Sequence, residues 1–279
     1  MAKKKTSAAT KKLSQNGGCH PQTKFGGDAA TAHGTPKQHR LGVAPDSRSS
    51  EIVSKTRKES AEARARRAAE IARRLIEAYP DATIRLHYST PFELLVATIL
   101  SAQCTDDMVN RVTADLFKRA GTPERLARMP LAAIEKAVRS TGFFRNKAKA
   151  IKSMSRQLIE KHGGRVPEAM EDLVDLPGVA RKTANVVRAG VFGRPAIITD
   201  THFIRLAQRM VLTENVKPEK IEQDAMALLP EASWSAFSHA MLFHGRAICQ
   251  AKKPACDRCV VSALCPSAFH FPHFAKEPP

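Results

Sequence analysis

Apolar residues recur along most of this chain at the spacing of a helix. Ile151, Met154, Leu158 and Ile159 share one face of a helix expected over 146–162, closed by Gly163-Gly164. Leu131, Ile134 and Val138 do the same over 131–139. The run AEARARRAAEIARRLIEAYP is a strong helix former that stops at Pro80. In STPFELLVATILSAQ, Thr90 stands three positions before Glu93 with Pro91 between them, a capping box with proline at the first helical position. Further helices are expected over about 105–119, 167–174, 201–212, 217–229 and 231–247. Ile84, Leu86 and Tyr88 alternate with polar neighbours, but five residues are too few to define a strand. The expectation is an all-α protein with short connections and one or two extended segments.

Residues 1–60 depart from this pattern. They are rich in Gly, Ser, Thr and Ala and show no apolar periodicity, so burial cannot offset the entropy of ordering them. Twelve Lys/Arg against four Asp/Glu give the segment a net charge of +8. It reads as a disordered basic arm. The whole chain has 279 residues, 43% of them hydrophobic, which allows a real core, and a net charge of +18. So large an excess points to a polyanionic partner, nucleic acid or an anionic membrane surface. No run approaches 18 consecutive apolar residues, and the N-terminus lacks the apolar stretch of a secretory signal. Nucleic acid in the cytoplasm is therefore the expected partner. No internal repeat is present.

Four of the six cysteines stand within 17 residues, in CQAKKPACDRCVVSALC: Cys249, Cys256, Cys259 and Cys265. Disulfides are not expected in such a chain, and two thiols at x2 spacing suit a shared metal. Four thiolates fit either a structural zinc ion or a [4Fe–4S] cluster. Lys252, Lys253 and Arg258 lie inside this loop, placed to balance thiolate charge or to face phosphate. Cys19 and Cys104 have no such company.

The stretch LPGVARKTANVV, residues 176–187, joins a Pro177-Gly178 turn to a helix beginning near Ala180. Gly178 leaves backbone N–H groups uncovered at a helix N-terminus, an arrangement that binds phosphate without reading sequence. Lys182 then sits in the first turn beside Arg181, which with Gly178 and Ala180 is expected to contact phosphate. The helix dipole and the neighbouring cation both disfavour its charge, which is how a lysine becomes a nucleophilic amine; contact with phosphate is the plainer role. The helix runs about 18 Å, and residues 192–199, if extended, span up to about 26 Å. That length lets the chain return to its starting level, where TDTHFIRL places Asp200 as the N-cap of another helix, close to Lys182. A carboxylate beside such a lysine forms an acid–base and charge-stabilising pair, beyond capping alone.

These motifs in order resemble the endonuclease III family, bacterial DNA-repair glycosylases of the helix-hairpin-helix superfamily. The resemblance rests on LPGVARKTANVV, on DTH with Asp200 eighteen positions after Lys182, and on the cysteine spacing. TPFELL, LSAQCTD and TGFFRNKA match in the same order, and the likeness covers about residues 62–270. It implies a two-domain fold, with a six-helix domain over 84–194 that carries the hairpin at about 167–191. The second domain would join 61–83 to 195–279 and hold a [4Fe–4S] cluster on the four cysteines. It also implies a monomer, associated with the nucleoid, acting on duplex DNA that contains damaged pyrimidines or abasic sites. The damaged base is flipped out of the stack, Lys182 attacks C1′ of its sugar, and the Schiff base that follows permits β-elimination, with Asp200 assisting. Gln103 matches the residue that fills the gap left by the flipped base. Phe143 stands where the family usually has a leucine wedge, and Ala180 where its hairpin more often has glycine.

Two other readings compete. Monofunctional mismatch glycosylases acting on adenine, or on uracil and thymine, share parts of this pattern but lack a lysine at the position of Lys182. A non-catalytic DNA-binding protein with a structural metal would explain the charge, hairpin and cysteines but not the Lys182–Asp200 spacing.

Overall fold

The structure, a computed structural model, describes residues 59–274. Nearly all of the arm expected over 1–60, with Cys19, lies outside the described residues. Among the described residues, eleven α-helices follow one another with short connections and no strand occurs. They are α1 (Ala61–Ala78), α2 (Pro91–Leu100), α3 (Asp106–Ala120), α4 (Pro123–Arg128), α5 (Leu131–Ala137), α6 (Phe144–His162), α7 (Met170–Asp175), α8 (Arg181–Val191), α9 (Thr201–Arg209), α10 (Pro218–Leu228) and α11 (Trp234–Ala247).

Local chemistry sets several boundaries. Thr90 Oγ1 accepts from Glu93 N at 3.2 Å, while Glu93 Oε2 accepts from Ser89 N at 2.6 Å, so the capping box closes one residue further out than the simple motif. Gly163 adopts φ +58, and Gly164 N donates to Leu158 O at 2.9 Å, the closure that the two glycines predict after α6. Other boundaries differ from expectation. Helix α9 ends at Arg209, short of 212, because Val211 turns the chain at φ +49. Helix α6 begins two residues early, after Phe143 in the left-handed region. Helix α4 was not expected at all. Its six residues are too few for a periodic pattern, although Thr122-Pro123, with Thr122 Oγ1 accepting from Arg125 N, repeats the start signal of α2.

Buried apolar side chains gather into two clusters. One is built from α2 to α8, with Leu94, Leu95, Ile134, Ile151 and Val187 fully covered. The other joins α1 to α9, α10, α11 and the cysteine loop around Ile71, Leu75, Phe203 and Phe237. The extended segment between α8 and α9 runs between them. Ile197 packs in the second cluster and Ile198 in the first, because successive side chains of extended backbone point in opposite directions. Asn185 Nδ2 donates to Ile197 O at 2.9 Å, and the Ser238 hydroxyl accepts from Ile198 N at 3.0 Å, so both sides grip this segment. The residue that leaves it is Asp200.

Candidate active site and thiol-lined cavity

Leu176 to Val179 form a tight turn. Val179 N donates to Leu176 O at 3.0 Å, with Pro177 and Gly178 (φ +81) between them, as a type II turn requires. A Cβ on Gly178 would lie 2.8 Å from the Ala150 Cβ, so the turn is held close against α6. Ala180 is the N-cap of α8 and offers no side-chain acceptor, which leaves the first N–H groups of the helix without a side-chain cap. Arg181 and the exposed Lys182 begin the helix.

Arg181 is more than a solvated neighbour of Lys182. Its guanidinium donates twice to the buried Glu222 carboxylate of α10, at 2.9 Å each. The ion pair raises the Arg181 pKa further and bolts the start of α8 to the second cluster. The phosphate contact expected of Arg181 competes with this pairing.

Asp200 is the N-cap of α9, with Oδ1 accepting from Phe203 N at 2.7 Å. Lys182 and Asp200 line one cleft between the two clusters. Thr83, Ile84, Arg85, Thr98, Ser101 and Asp106 form one side of it, and Ser238, His239, Leu242 and Arg246 the other. Arg246 Nη1 donates to Asp106 Oδ2 at 3.0 Å, a second ion pair across the cleft. Burial lowers the His239 pKa, so its ring is neutral near pH 7. Motif reading missed Arg85, Asp106, His239 and Arg246; LSAQCTD contains Asp106, and no local pattern marks the others.

Gln103 and Phe143 sit on two loops of the first cluster. Both are exposed and both have positive φ, +52 and +47, a strained conformation for residues with side chains of this size. Phe143, 65% exposed, is a large apolar side chain offered to solvent.

Cys249, Cys256, Cys259 and Cys265 line a single small cavity, together with Arg209, His244, Ile248 and Phe271. Among the described residues, no three His, Cys, Asp or Glu side chains form a set for a lone metal ion. Burial pushes the Cys259 thiol up to about 11 and the Cys265 thiol up to about 12, and it raises Cys256 as well. Backbone N–H groups of Phe269, Val261 and Ser267 oppose the rise at Cys256, Cys259 and Cys265 respectively. Arg209 Nη1 donates to Cys249 Sγ at 3.2 Å, and its guanidinium lies over the Phe271 ring at 4.6 Å. Burial pulls His244 down to about 4, and this neutral ring bridges the Tyr79 hydroxyl (3.0 Å) and Cys259 Sγ (3.3 Å). Four sulfurs surrounded by N–H donors in an apolar wall suit an iron–sulfur group, whose positive metal centres offset the burial of thiolate. Lys252, Lys253 and Arg258 are exposed on the loop, and Arg209 meets the Cys249 sulfur.

Comparison with known proteins decides the family. Residues 96–231 match the model of the HhH-GPD superfamily of base excision DNA repair proteins. The chain is 53% identical over 203 residues to Endonuclease III of Synechocystis sp., a match covering 72% of this chain and 93% of that relative. The chain belongs to the endonuclease III family. Endonuclease III of Escherichia coli K12 is 39% identical over 196 residues, which covers 70% of this chain and 93% of the relative. Among solved structures, a trapped Endonuclease III–DNA covalent intermediate superposes with a TM-score of 0.69 at 40% identity, covering 71% of this chain and 94% of that one. Membership makes this protein a DNA glycosylase of base-excision repair with a helix-hairpin-helix fold. No described helix is long and apolar enough to cross a membrane.

Proposed function

We propose that this glycosylase removes oxidised pyrimidines from duplex DNA and then nicks the abasic strand through a Schiff base on Lys182. One observation carries the reading: Lys182 at the start of α8 and Asp200 at the start of α9 open into the same cleft between the two apolar clusters. A monofunctional enzyme or a simple binding module would leave that lysine without a chemical task.

The flipped nucleotide enters the cleft, since chemistry on a stacked base is impossible. The Nζ of Lys182 attacks C1′ as the glycosidic bond breaks, and the departing base takes up a proton from water. Asp200 faces the positive charge that develops on the sugar and accepts the proton released by the attacking amine. Opening of the sugar ring gives the imine; loss of a C2′ proton then expels the 3′ phosphate. The turn at Gly178 and the N–H groups after Ala180 hold a backbone phosphate, and Lys252 and Lys253 reach a second one. Gln103 fills the gap in the duplex, and Phe143 wedges between neighbouring bases. Cys249, Cys256, Cys259 and Cys265 would hold a [4Fe–4S] cluster, which when bound cross-links the loop. The two apolar clusters support a division into a domain over 84–194, where α2 to α8 make seven helices rather than the six expected, and a second domain of 61–83 with 195–279. The protein acts as a monomer.

Borohydride reduction during turnover should trap a covalent protein–DNA adduct through Lys182. Lys182→Gln should lose both trapping and nicking yet still bind DNA, because the hairpin backbone is unchanged. A trappable adduct formed by Lys182→Gln would assign the nucleophile to another amine.

A further inference from the structure

Lys147 lies in the first turn of α6 and is only 6% exposed. Burying an ammonium is expensive unless acceptors compensate it. Its Nζ donates to Leu100 O at 2.8 Å and to Thr141 O at 2.6 Å. Each carbonyl stands at the C-terminal end of a helical element, Leu100 closing α2 and Thr141 closing the 3-10 turn Arg139–Thr141. Such ends carry unpaired carbonyls and partial negative charge, so they welcome a cation. Both anchors are fixed: Leu100 and Thr141 are fully buried, and the Thr141 hydroxyl donates to Val138 O at 2.8 Å.

What leaves those two anchors gives the contact its meaning. Three residues after Leu100 stands Gln103 at φ +52; two residues after Thr141 stands Phe143 at φ +47. Strained backbone of this kind persists only where its surroundings over-determine it. One ammonium therefore ties together the bases of both strained loops. We infer that Lys147 is a positioning residue for duplex opening, setting the separation of Gln103 and Phe143 so that gap filling and wedging occur in one geometry. This rests on the proposed roles of those two side chains. Lys147 acts through them and touches neither the flipped nucleotide nor the cleft that holds Lys182.

The test compares two substrates on the same full-length preparation, under single turnover. One is a duplex with an oxidised pyrimidine; the other is a single-stranded oligonucleotide with a preformed abasic site, which needs no opening. Active enzyme is counted by borohydride trapping, so a change in folded fraction cancels in the ratio of the two rates. Lys147→Met removes the donors at similar length and should lower the duplex rate about a hundredfold, the cost of a displacement near 1 Å, while leaving the single-stranded rate unchanged. Lys147→Gln, which keeps N–H donors on a shorter arm, should fall between Lys147→Met and the parent, and it decides the matter if the methionine variant folds poorly. Adding Phe143→Ala to Lys147→Met should cost less than the product of the separate losses, since both disable one step. Equal losses on the two substrates would make Lys147 a fold residue only and overturn the inference. Gln103→Ala and Phe143→Ala are run alongside. If these two spare the duplex rate, the duplex-opening reading itself fails; if they lower it selectively and Lys147→Met does not, only the positioning role fails.

Discussion

Arg181→Met strands a buried carboxylate. The Glu222 side chain is 4% exposed, and both of its guanidinium hydrogen bonds, at 2.9 Å, come from Arg181. Removing one partner of a fully buried pair costs about 3–5 kcal/mol. Here the Arg181 side chain is 43% exposed, so water reaches the pair from one side and the expected loss is about 2–3 kcal/mol. For a folded part of this size, that corresponds to a Tm lower by about 5–10 °C. Thermal unfolding of the holoprotein followed by far-ultraviolet circular dichroism measures it. Arg181→Met/Glu222→Leu should recover most of the loss, because an apolar pair of similar volume replaces a buried ion pair at little cost. The single variant should also slow cleavage, since the bolt fixes the start of α8 and hence Lys182 relative to Asp200. The competing account makes Arg181 a phosphate contact. It expects an unchanged Tm and a slope of log affinity against log salt shallower by about one. That pair of results would refute the reasoning.

Anaerobically purified protein should contain iron and sulfide in equal amounts and absorb broadly in the visible; zinc without iron would exclude the cluster. Gly178→Ala should destabilise by about 2–3 kcal/mol, because an L-residue is strained at φ +81 and its Cβ would sit 2.8 Å from the Ala150 Cβ; Ala150→Gly relieves the clash and leaves the strain, so rescue in thermal unfolding should be partial. Burial lowers the His239 pKa below the ordinary 6.5, so its contribution to stability is complete above 6.5 and is lost as the pH falls through its folded value. His239→Gln should accordingly flatten the fall in Tm between neutral and acidic pH, and an unchanged slope would show that His239 is not a source of that fall. Deleting residues 1–58 should flatten the salt dependence of DNA affinity without altering trapping by borohydride; an unchanged slope would mean that the arm does not meet DNA.

The sequence by itself determined the features that close within a few residues. Thr90 and Asp200 were recognisable as caps because an N-cap side chain bonds the backbone three positions on, and both do so here. The turn at Pro177-Gly178 and the closure at Gly163-Gly164 were legible for the same reason. The four cysteines declared a shared site through their spacing, and they do line one cavity. The distance from Lys182 to Asp200 along the chain was enough to infer a return to the same level, and the two line one cleft. Helix α4 escaped because six residues hold less than two turns of periodicity. What only the tertiary structure decided are the partners of the charged groups. Arg181 meets Glu222 41 positions away, Arg209 meets Cys249 40 positions away, and Lys147 reaches back 47 positions to Leu100. A charge in a sequence announces that it needs a counterpart. Which one it finds depends on how helices pack, and packing is settled by apolar surfaces whose shapes no local pattern encodes.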